Sequence, residues 1–286
     1  MENIQTILVR RVFPKKLRSL IYDTLPKAQR YSSSAVRFPF AKAPNSLLQA
    51  ISERFSHAYG HAPTYNEIMI TPKDINILIA CEESQAECLA FRKRGFNAFS
   101  CDIQKARFEP QYHIQGDVTP LLAGTTQFTT QDGIQHTVDK WHLILAHPPC
   151  TYLCKVSSVH MRINGEIQPE RYAKMLEARE FFFDCLVAFA PFVAVENPIP
   201  MRLARLPKPS CYVQPYWYGE KYSKKTLYWL RNLPPLLPTV TNPVFKCFVR
   251  SSRGKYRSRT FPGIANAIAE QWGRYILDEL NRTENP

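Results

Sequence analysis

The segment His147-Pro148-Pro149-Cys150-Thr151 directly follows the apolar run Trp141-His142-Leu143-Ile144-Leu145-Ala146. Such a run reads as a buried strand of a parallel sheet. Ligands of open α/β sheets bind just beyond the carboxyl ends of these strands. The two prolines stiffen the exit loop by fixing φ and removing two donors. The next side chain is a thiol, the most nucleophilic common side chain near neutral pH. The loop therefore presents a nucleophile, or else buries a structural cysteine beside a turn. Polar corners recur at Cys81-Glu82-Glu83-Ser84, Asp102, Gly116-Asp117-Val118 and Glu196-Asn197-Pro198. An acid ending a second strand is placed to bind ribose hydroxyls. Asp117, which only accepts when ionised, suits an amino group such as that of adenine. Taken singly, each acid reads equally as a cap or a solvated loop residue. Their recurrence at successive strand ends points to one shared crevice.

The elements that must position these residues follow from hydrophobic period and breakers. Ile75 to Ala80 reads as a buried strand, and Ser84 to Arg94 as a helix closed by Gly95. Phe96 to Cys101 reads as a second strand ending at Asp102, and Trp141 to Ala146 as a later one. Pro169 to Ala190 forms a long helix, and Phe192 to Val195 a strand ending at Glu196. Strands alternating with helices predict an α/β, doubly wound, mostly parallel sheet. Right-handed crossovers then bring the strand ends to one edge. Ahead of this domain, residues 1–72 form a basic extension with a predicted helix over Leu47 to Phe55 and the start of another at Thr64 to Ile68. The main domain runs over 73–286.

Charge separates these regions. Residues 1–72 hold 10 Lys/Arg against 4 Asp/Glu, residues 73–199 hold 12 against 15, and residues 200–286 hold 15 against 5, within a net charge of +13. Two basic segments flanking a mildly acidic middle favour a polyanionic partner. Tyr212, Tyr216, Trp217, Tyr218, Tyr222, Tyr228 and Trp229 interleave with the C-terminal cations, a pattern suited to stacking bases. No run approaches the ~20 apolar residues of a membrane span, and the opening residues lack a secretory apolar core. Their basic, acid-poor composition is also that of a mitochondrial transit peptide. Eight cysteines without a signal peptide read as reduced thiols in a cytoplasmic compartment. Cys150 and Cys154 form a CxxxC pair near His160, but no second Cys/His pair follows at zinc spacing, so no metal is expected.

With Pro148-Pro149-Cys150 preceding Val195-Glu196-Asn197-Pro198, the chain resembles the cytosine C5 DNA methyltransferases. It is also similar to compact phage- and prophage-type proteins of this kind, through Ala80-Cys81-Glu82-Glu83-Ser84-Gln85, Gln115-Gly116-Asp117-Val118 and Phe261-Pro262-Gly263-Ile264-Ala265. The resemblance covers roughly residues 73 to 273 and implies a Rossmann-like methyltransferase sheet that binds S-adenosylmethionine. It implies Cys150 as nucleophile and Glu196 as the carboxyl that holds the cytosine. Cys81, Glu82, Glu83, Ser84, Asp102, Ile103, Asp117, Val118, His147, Pro148 and Asn266 would then face the cofactor. Pro149, Thr151, Asn197, Lys224, Lys225, Arg253, Arg257 and Arg259 would face the substrate. The implied partner is DNA, duplex favoured and single strands possible, in a bacterial or phage-infected cell, with the target base flipped from its stack.

The chain departs from the family at three places. Its first loop, Cys81-Glu82-Glu83-Ser84-Gln85, has no glycine where the family has a Phe-x-Gly-x-Gly loop. Gln214-Pro215-Tyr216 with Lys224-Lys225-Thr226 stands where a Gln-Arg-x-Arg motif belongs. Only a short segment, about 227–260, remains for target recognition, so the basic loop Arg250 to Arg259, residues 1–72, or both take that role. His147, Lys155 and Arg162 are the candidate thiol-activating cations. Two other readings stay open. One is an amino methyltransferase acting on adenine N6 or cytosine N4, whose loop is Asp/Asn-Pro-Pro-Tyr/Phe. The other is a methyltransferase fold that binds nucleic acid without catalysis.

Overall fold

The computed structural model of the chain describes residues 69–245, 247–248 and 259–284. The basic extension 1–72, with its expected helices, lies outside the described residues except for Met69 to Pro72, as do Arg253 and Arg257. Two compact units are distinguished, Thr71–Leu277 and a second that joins Met1–Ile70 with Asp278–Pro286. Within the second, the Ile70 amide donates to Asn281 Oδ1 at 2.9 Å, and Asn281 Nδ2 donates back to the Ile70 carbonyl at 3.0 Å.

The larger unit is built on a seven-stranded sheet. Its strands are β1 (Asn76–Ala80), β2 (Asn97–Asp102), β3 (His113–Gln115), β6 (Leu143–Ala146), β9 (Phe192–Pro198), β10 (Cys211–Val213) and β12 (Thr226–Arg231). Two-stranded ribbons supply β4 (Gln127–Thr129) with β5 (Gln135–Thr137), β7 (Arg162–Ile163) with β8 (Glu166–Ile167), and β11 (Tyr222–Ser223) with β13 (Cys247–Phe248). The sheet order is β10-β12-β9-β6-β1-β2-β3. Every pair from β9 to β3 is parallel, and β12 runs antiparallel to both of its neighbours. This mostly parallel sheet with helices on both faces is the expected α/β, doubly wound arrangement.

All residues of β1 and β6 are buried, because helices cover both faces. Leu78 and Ala80 join a core with Ile144, Val193, Val195 and Phe182. Phe182 belongs to α3 (Pro169–Leu186) and meets Trp229 edge-on at 5.0 Å. Leu121 and Leu122 of the short α2 (Thr119–Leu122) pack into the same core. On the other face α1 (Ala86–Arg92) buries Cys88, Ala90 and Phe91, and α4 (Pro262–Glu284) buries Ile264, Ile268, Trp272 and Ile276. Trp272 meets Tyr228 of β12 edge-on at 5.7 Å.

The expected strands and helices of the main domain are present, shifted by a few residues at their ends. Two findings differ from the sequence expectation. Residues 227–231, assigned to a reduced recognition segment, form most of β12, an inner strand whose Leu227, Tyr228 and Trp229 are buried. Their aromatic residues fill both cores, so burial rather than base stacking accounts for them. Asn266, expected to face the cofactor, lies inside helix α4.

Gly263 fixes how α4 begins. A Cβ there would collide with the Tyr218 carbonyl oxygen and lie 3.0 Å from its carbon, so backbone must pass where a side chain would stand. We expect Gly263→Ala to lower stability by about 3 kcal/mol in urea unfolding. Gly116→Ala, with nothing within 4 Å of the new Cβ, is the control and should move stability by less than ~0.5 kcal/mol.

Candidate active site

The register of the central strands sets the site. Ala80 of β1 is level with Ala146 of β6, which is level with Val195 of β9. The next residues, Cys81, His147 and Glu196, therefore lie in one row, Glu196 still paired with Tyr228 of β12. The His147 amide donates to the Ala80 carbonyl at 2.9 Å, which carries the ladder one step past β6. Beyond it Pro148 is buried and Pro149 exposed, and the chain turns so that the amides of Leu153 and Cys154 both donate to the Cys150 carbonyl at 3.0 Å. That turn brings Cys154 back beside Cys150. The loop is then clasped to the chain leaving β9. Lys155 N donates to Ile199 O and Met201 N to Leu153 O, both at 2.7 Å, around an antiparallel bridge between Cys154 and Pro200. Two segments 46 positions apart thus bring Cys150 within the electrostatic reach of Glu196.

The Cys150 thiol is held well above its usual range. Its hydrogen bond to Cys154 comes first, then burial and the charge of Glu196, and the Lys224 ammonium opposes them. The Cys154 thiol is pushed the other way. Cys150 hydrogen-bonds to it, and Ser157 and the amide of Val156 also stabilise its thiolate. Cys154 caps the 3-10 helix Lys155–His160, where backbone N–H groups favour an anion. The contact between the two sulfurs therefore favours the thiolate at Cys154 and disfavours it at Cys150.

Lys224, rather than His147, Lys155 or Arg162, is the cation that favours the Cys150 thiolate. Lys224 lines a small pocket with Glu196, Thr226, Tyr228, Arg259, Thr260, Phe261 and Ile264. Lys225 points elsewhere, its ammonium 4.1 Å from the centre of the Tyr212 ring. Lys155 and Arg162, with Arg202, line a separate cavity of about 610 Å³ on the far side of the clasp. Thr151 is exposed at the turn, while Asn197 is fully buried, its Nδ2 donating to the Pro198 carbonyl at 2.7 Å.

The glycine-free loop still takes a left-handed backbone. Cys81 has φ of 60° and Gln85 φ of 55°, conformations that cost a non-glycine residue about 1–2 kcal/mol each. Gln85 is anchored against this cost. Its Oε1 accepts from the amides of Phe108 and Glu109 at 3.3 and 2.8 Å, and its Nε2 donates to the Glu109 carbonyl at 2.9 Å. Cys81 lies near Asp102 and Asp117. Its thiol is pushed up to about 12, by burial first and then by these two carboxylates.

Asp102 Oδ1 accepts from the Gln104 amide at 2.8 Å, and Asp117 Oδ1 accepts from the Thr119 amide and hydroxyl at 3.0 and 2.8 Å. Both acids are therefore turn caps, and Oδ2 of each makes no hydrogen bond among the described residues. Ile103 beside Asp102 is 76% exposed, an apolar side chain open to a flat ligand; Val118 is buried. Two acceptors and an exposed aliphatic group at the ends of β2 and β3 fit the hydroxyls and amino group of an adenosine. Ser84 and Asn266 line a different cavity, of about 530 Å³, with Phe108, Phe261 and Lys93. Asn266 Oδ1 there accepts from Arg94 at 3.4 Å.

Glu82 and Glu83 do not open towards a sulfonium. Glu82 is buried, and its two oxygens accept from the amides of Glu87 and Cys88 at 2.8 and 3.3 Å, capping α1. Glu83 contributes its carbonyl to the Arg107 amide at 3.2 Å. His147 is likewise turned away from the cofactor side. Its Nε2 lies 3.2 Å from Oε1 of the fully buried Glu87, and its Nδ1 lies 3.5 Å from Glu196 Oε2. Burial alone would neutralise this imidazole, but the charge of Glu87 and contacts with Glu196 outweigh it and hold its pKa well above the usual range.

Sequence reasoning missed Glu87. Its signal was a carboxylate on the apolar face of α1, three and four residues before Ala90 and Phe91.

No family model matches the sequence, and no curated protein matches it. Among solved structures the chain is similar to a candidate DNA modification methyltransferase encoded within a prophage of E. coli. The TM-score is 0.33 and the identity 12%, over 60% of this chain and 53% of that one. The chain spans about half the length of that neighbour. Among the described residues no helix is long and apolar enough to cross a membrane.

The buried acids dictate a pH dependence. Burial and then the charge of Glu87 raise the Glu82 carboxyl well above its usual 4.5. Its contribution to folding is complete below that value and is lost as pH rises towards the folded pKa. Glu87 has the opposite sign. Burial would raise it, but the charge of His147 and the contacts of Glu82, His147 and Thr260 hold it low, so its contribution is lost as pH falls. We expect Glu82→Gln to keep the cap of α1 and to remove the decline in stability above about pH 4.5, measured as the urea midpoint across pH.

Proposed function

We propose that the chain is an S-adenosylmethionine-dependent DNA methyltransferase that methylates cytosine at C5 through a Cys150 adduct. One observation carries the reading. The Cys150 thiol lies within the electrostatic reach of the Glu196 carboxylate and the Lys224 ammonium, which themselves line one small pocket, although the three lie on different segments. A thiol, a carboxyl group and a cation around one small space suit addition to an electron-poor ring better than any hydrolytic chemistry.

Cytosine C5 is too weak a nucleophile unaided. Cys150 adds to C6, and its proton moves to the Cys154 sulfur, to which it is already hydrogen-bonded. Glu196 faces N3 and the exocyclic amine and offsets the charge that develops there. Asp102, Ile103 and Asp117 would hold the adenosine part of the cofactor, with Cys81 and Pro148 nearby in the same row of strand ends. Bound there, S-adenosylmethionine supplies an electrophilic methyl group. C5, made enamine-like by the adduct, would take the methyl, and water would take the C5 proton as the Cys150 thiolate is expelled. A duplex base must leave its stack to enter, at a cost of a few kcal/mol. Lys155, Arg162 and Arg202 of the neighbouring cavity, with Arg259 and the basic residues 250–258, meet the phosphates. Pro149 and Thr151, exposed on either side of Cys150, would shape the wall around the base, with Asn197 buried behind it.

Bisulfite sequencing of DNA from cells expressing the chain, with nucleoside mass spectrometry, tests this. We expect 5-methylcytosine from the wild type, and a loss of about 10³-fold or more in Cys150→Ala with DNA affinity retained. N6-methyladenine or N4-methylcytosine instead would establish the amino methyltransferase. Calorimetry showing no S-adenosylmethionine binding, with DNA binding intact, would establish the non-catalytic alternative.

A further inference from the structure

We propose that Glu82, Glu87 and His147 form a proton relay behind Glu196, which delivers the His147 Nδ1 proton to Glu196 when a pyrimidine N3 engages that carboxyl. The inference rests on the cytosine reading of the site and assigns residues that methyl transfer itself does not require.

Four ionisable groups stand in a row from the α1 cap to the cleft. Glu82 faces Glu87, Glu87 lies 3.2 Å from His147 Nε2, and His147 Nδ1 lies 3.5 Å from Glu196 Oε2. The Glu87 side chain is fully buried, and those of His147 and Glu196 are 12% and 14% exposed. Buried polar groups are ordinarily hydrogen-bonded. Here both Glu87 oxygens, His147 Nε2 and Glu196 Oε1 lack a well-directed hydrogen bond, although they sit at ion-pair separations. A chain of charges held close but loosely aligned is costly as scaffolding, and apolar packing would serve the core better. It is suited to moving a proton over short distances.

The groups around the relay agree with this. Glu87 is faced by Glu82 from the β1–α1 loop, by His147, by Thr260 ahead of α4, and by Tyr228 of β12. Glu196 is faced by His147 and Cys150 from the loop after β6, and by Tyr228, its cross-strand neighbour; Lys224 and Arg259 line the same pocket. One proton between Glu82 and Glu87 leaves one negative charge, which balances an imidazolium at His147. When Cys150 adds to C6, N3 takes the proton that His147 Nδ1 passes through Glu196 Oε2, and Glu196 ends as the carboxylate it began. The His147 Nδ1–H bond breaks, the N3–H bond forms, and the ring remains as the neutral Nε2–H tautomer against Glu87. When the C5 proton leaves and the thiolate is expelled, N3 returns its proton by the same path. His147 acts through Glu196 and is a positioning residue.

Two measurements test the relay on the full chain. The first is ¹⁵N NMR of the seven histidines, with His147→Asn to identify the signal. We expect His147 to be doubly protonated at about pH 7 in the wild type, and Glu87→Gln to bring its titration down to or below the ordinary value of about 6.5. A neutral His147 at pH 7, or a midpoint unmoved by Glu87→Gln, overturns the relay. The second is single-turnover methylation. His147→Asn should slow transfer about 10²-fold and change the pH–rate profile, with S-adenosylmethionine affinity unchanged. Full-rate transfer by His147→Asn overturns the relay alone. A wild type whose His147 titrates as expected, yet which makes no 5-methylcytosine, overturns the substrate reading alone.

Discussion

The parallel register of β1, β6 and β9 is the constraint on which the site depends. Ala80, Ala146 and Val195 lie level across three buried strands, so the residues that follow lie in one row. In a parallel sheet, side chains at equivalent positions share a face and the carboxyl ends share an edge. Slipping one strand by a single residue would send His147 or Glu196 to the opposite face.

Buried charge adds a second constraint. Three carboxylates and an imidazole lie between α1 and β9 with little solvent to screen them. Their desolvation is offset only if protons are distributed so that charges alternate. The α1 helix contributes to this arrangement, because its first amides bind Glu82 and hold that carboxyl against Glu87. The same residues therefore cap a helix and set the ionisation of the cleft. The cysteine pair follows similar logic on the other side of Glu196. A turn places Cys154 at a helix start, where backbone amides favour its thiolate, and Cys150 hydrogen-bonds to it.

Much of the frame was legible in the chain itself. Apolar runs of four to six residues, broken by Gly95 and by acids at their ends, marked β1, β2, β6 and β9, because strands buried on both faces need continuous apolar sequence. The prolines around Cys150 and the Glu196-Asn197-Pro198 corner marked the chemistry. The inner strand β12 was not legible. Its aromatic and cationic residues match a nucleic-acid surface as well as a core, and only packing against Trp272 and Phe182 shows which they serve. Asn266 likewise matched a cofactor residue of the resemblance, but it sits within helix α4 and lines a different cavity.

Amino-acid order by itself determined the alternation of strands and helices, the positions of the strand ends, and the kinds of side chain displayed there, since these follow from local period, stiffness and chemistry. The tertiary structure alone decided the partners. Glu87 meets His147 and Lys224 meets Cys150 through separations of 60 and 74 positions in the chain. No local pattern encodes such encounters, because they arise from strand register and crossover geometry. Ionisation is decided at the same level, since burial and neighbouring charge set the proton on each group.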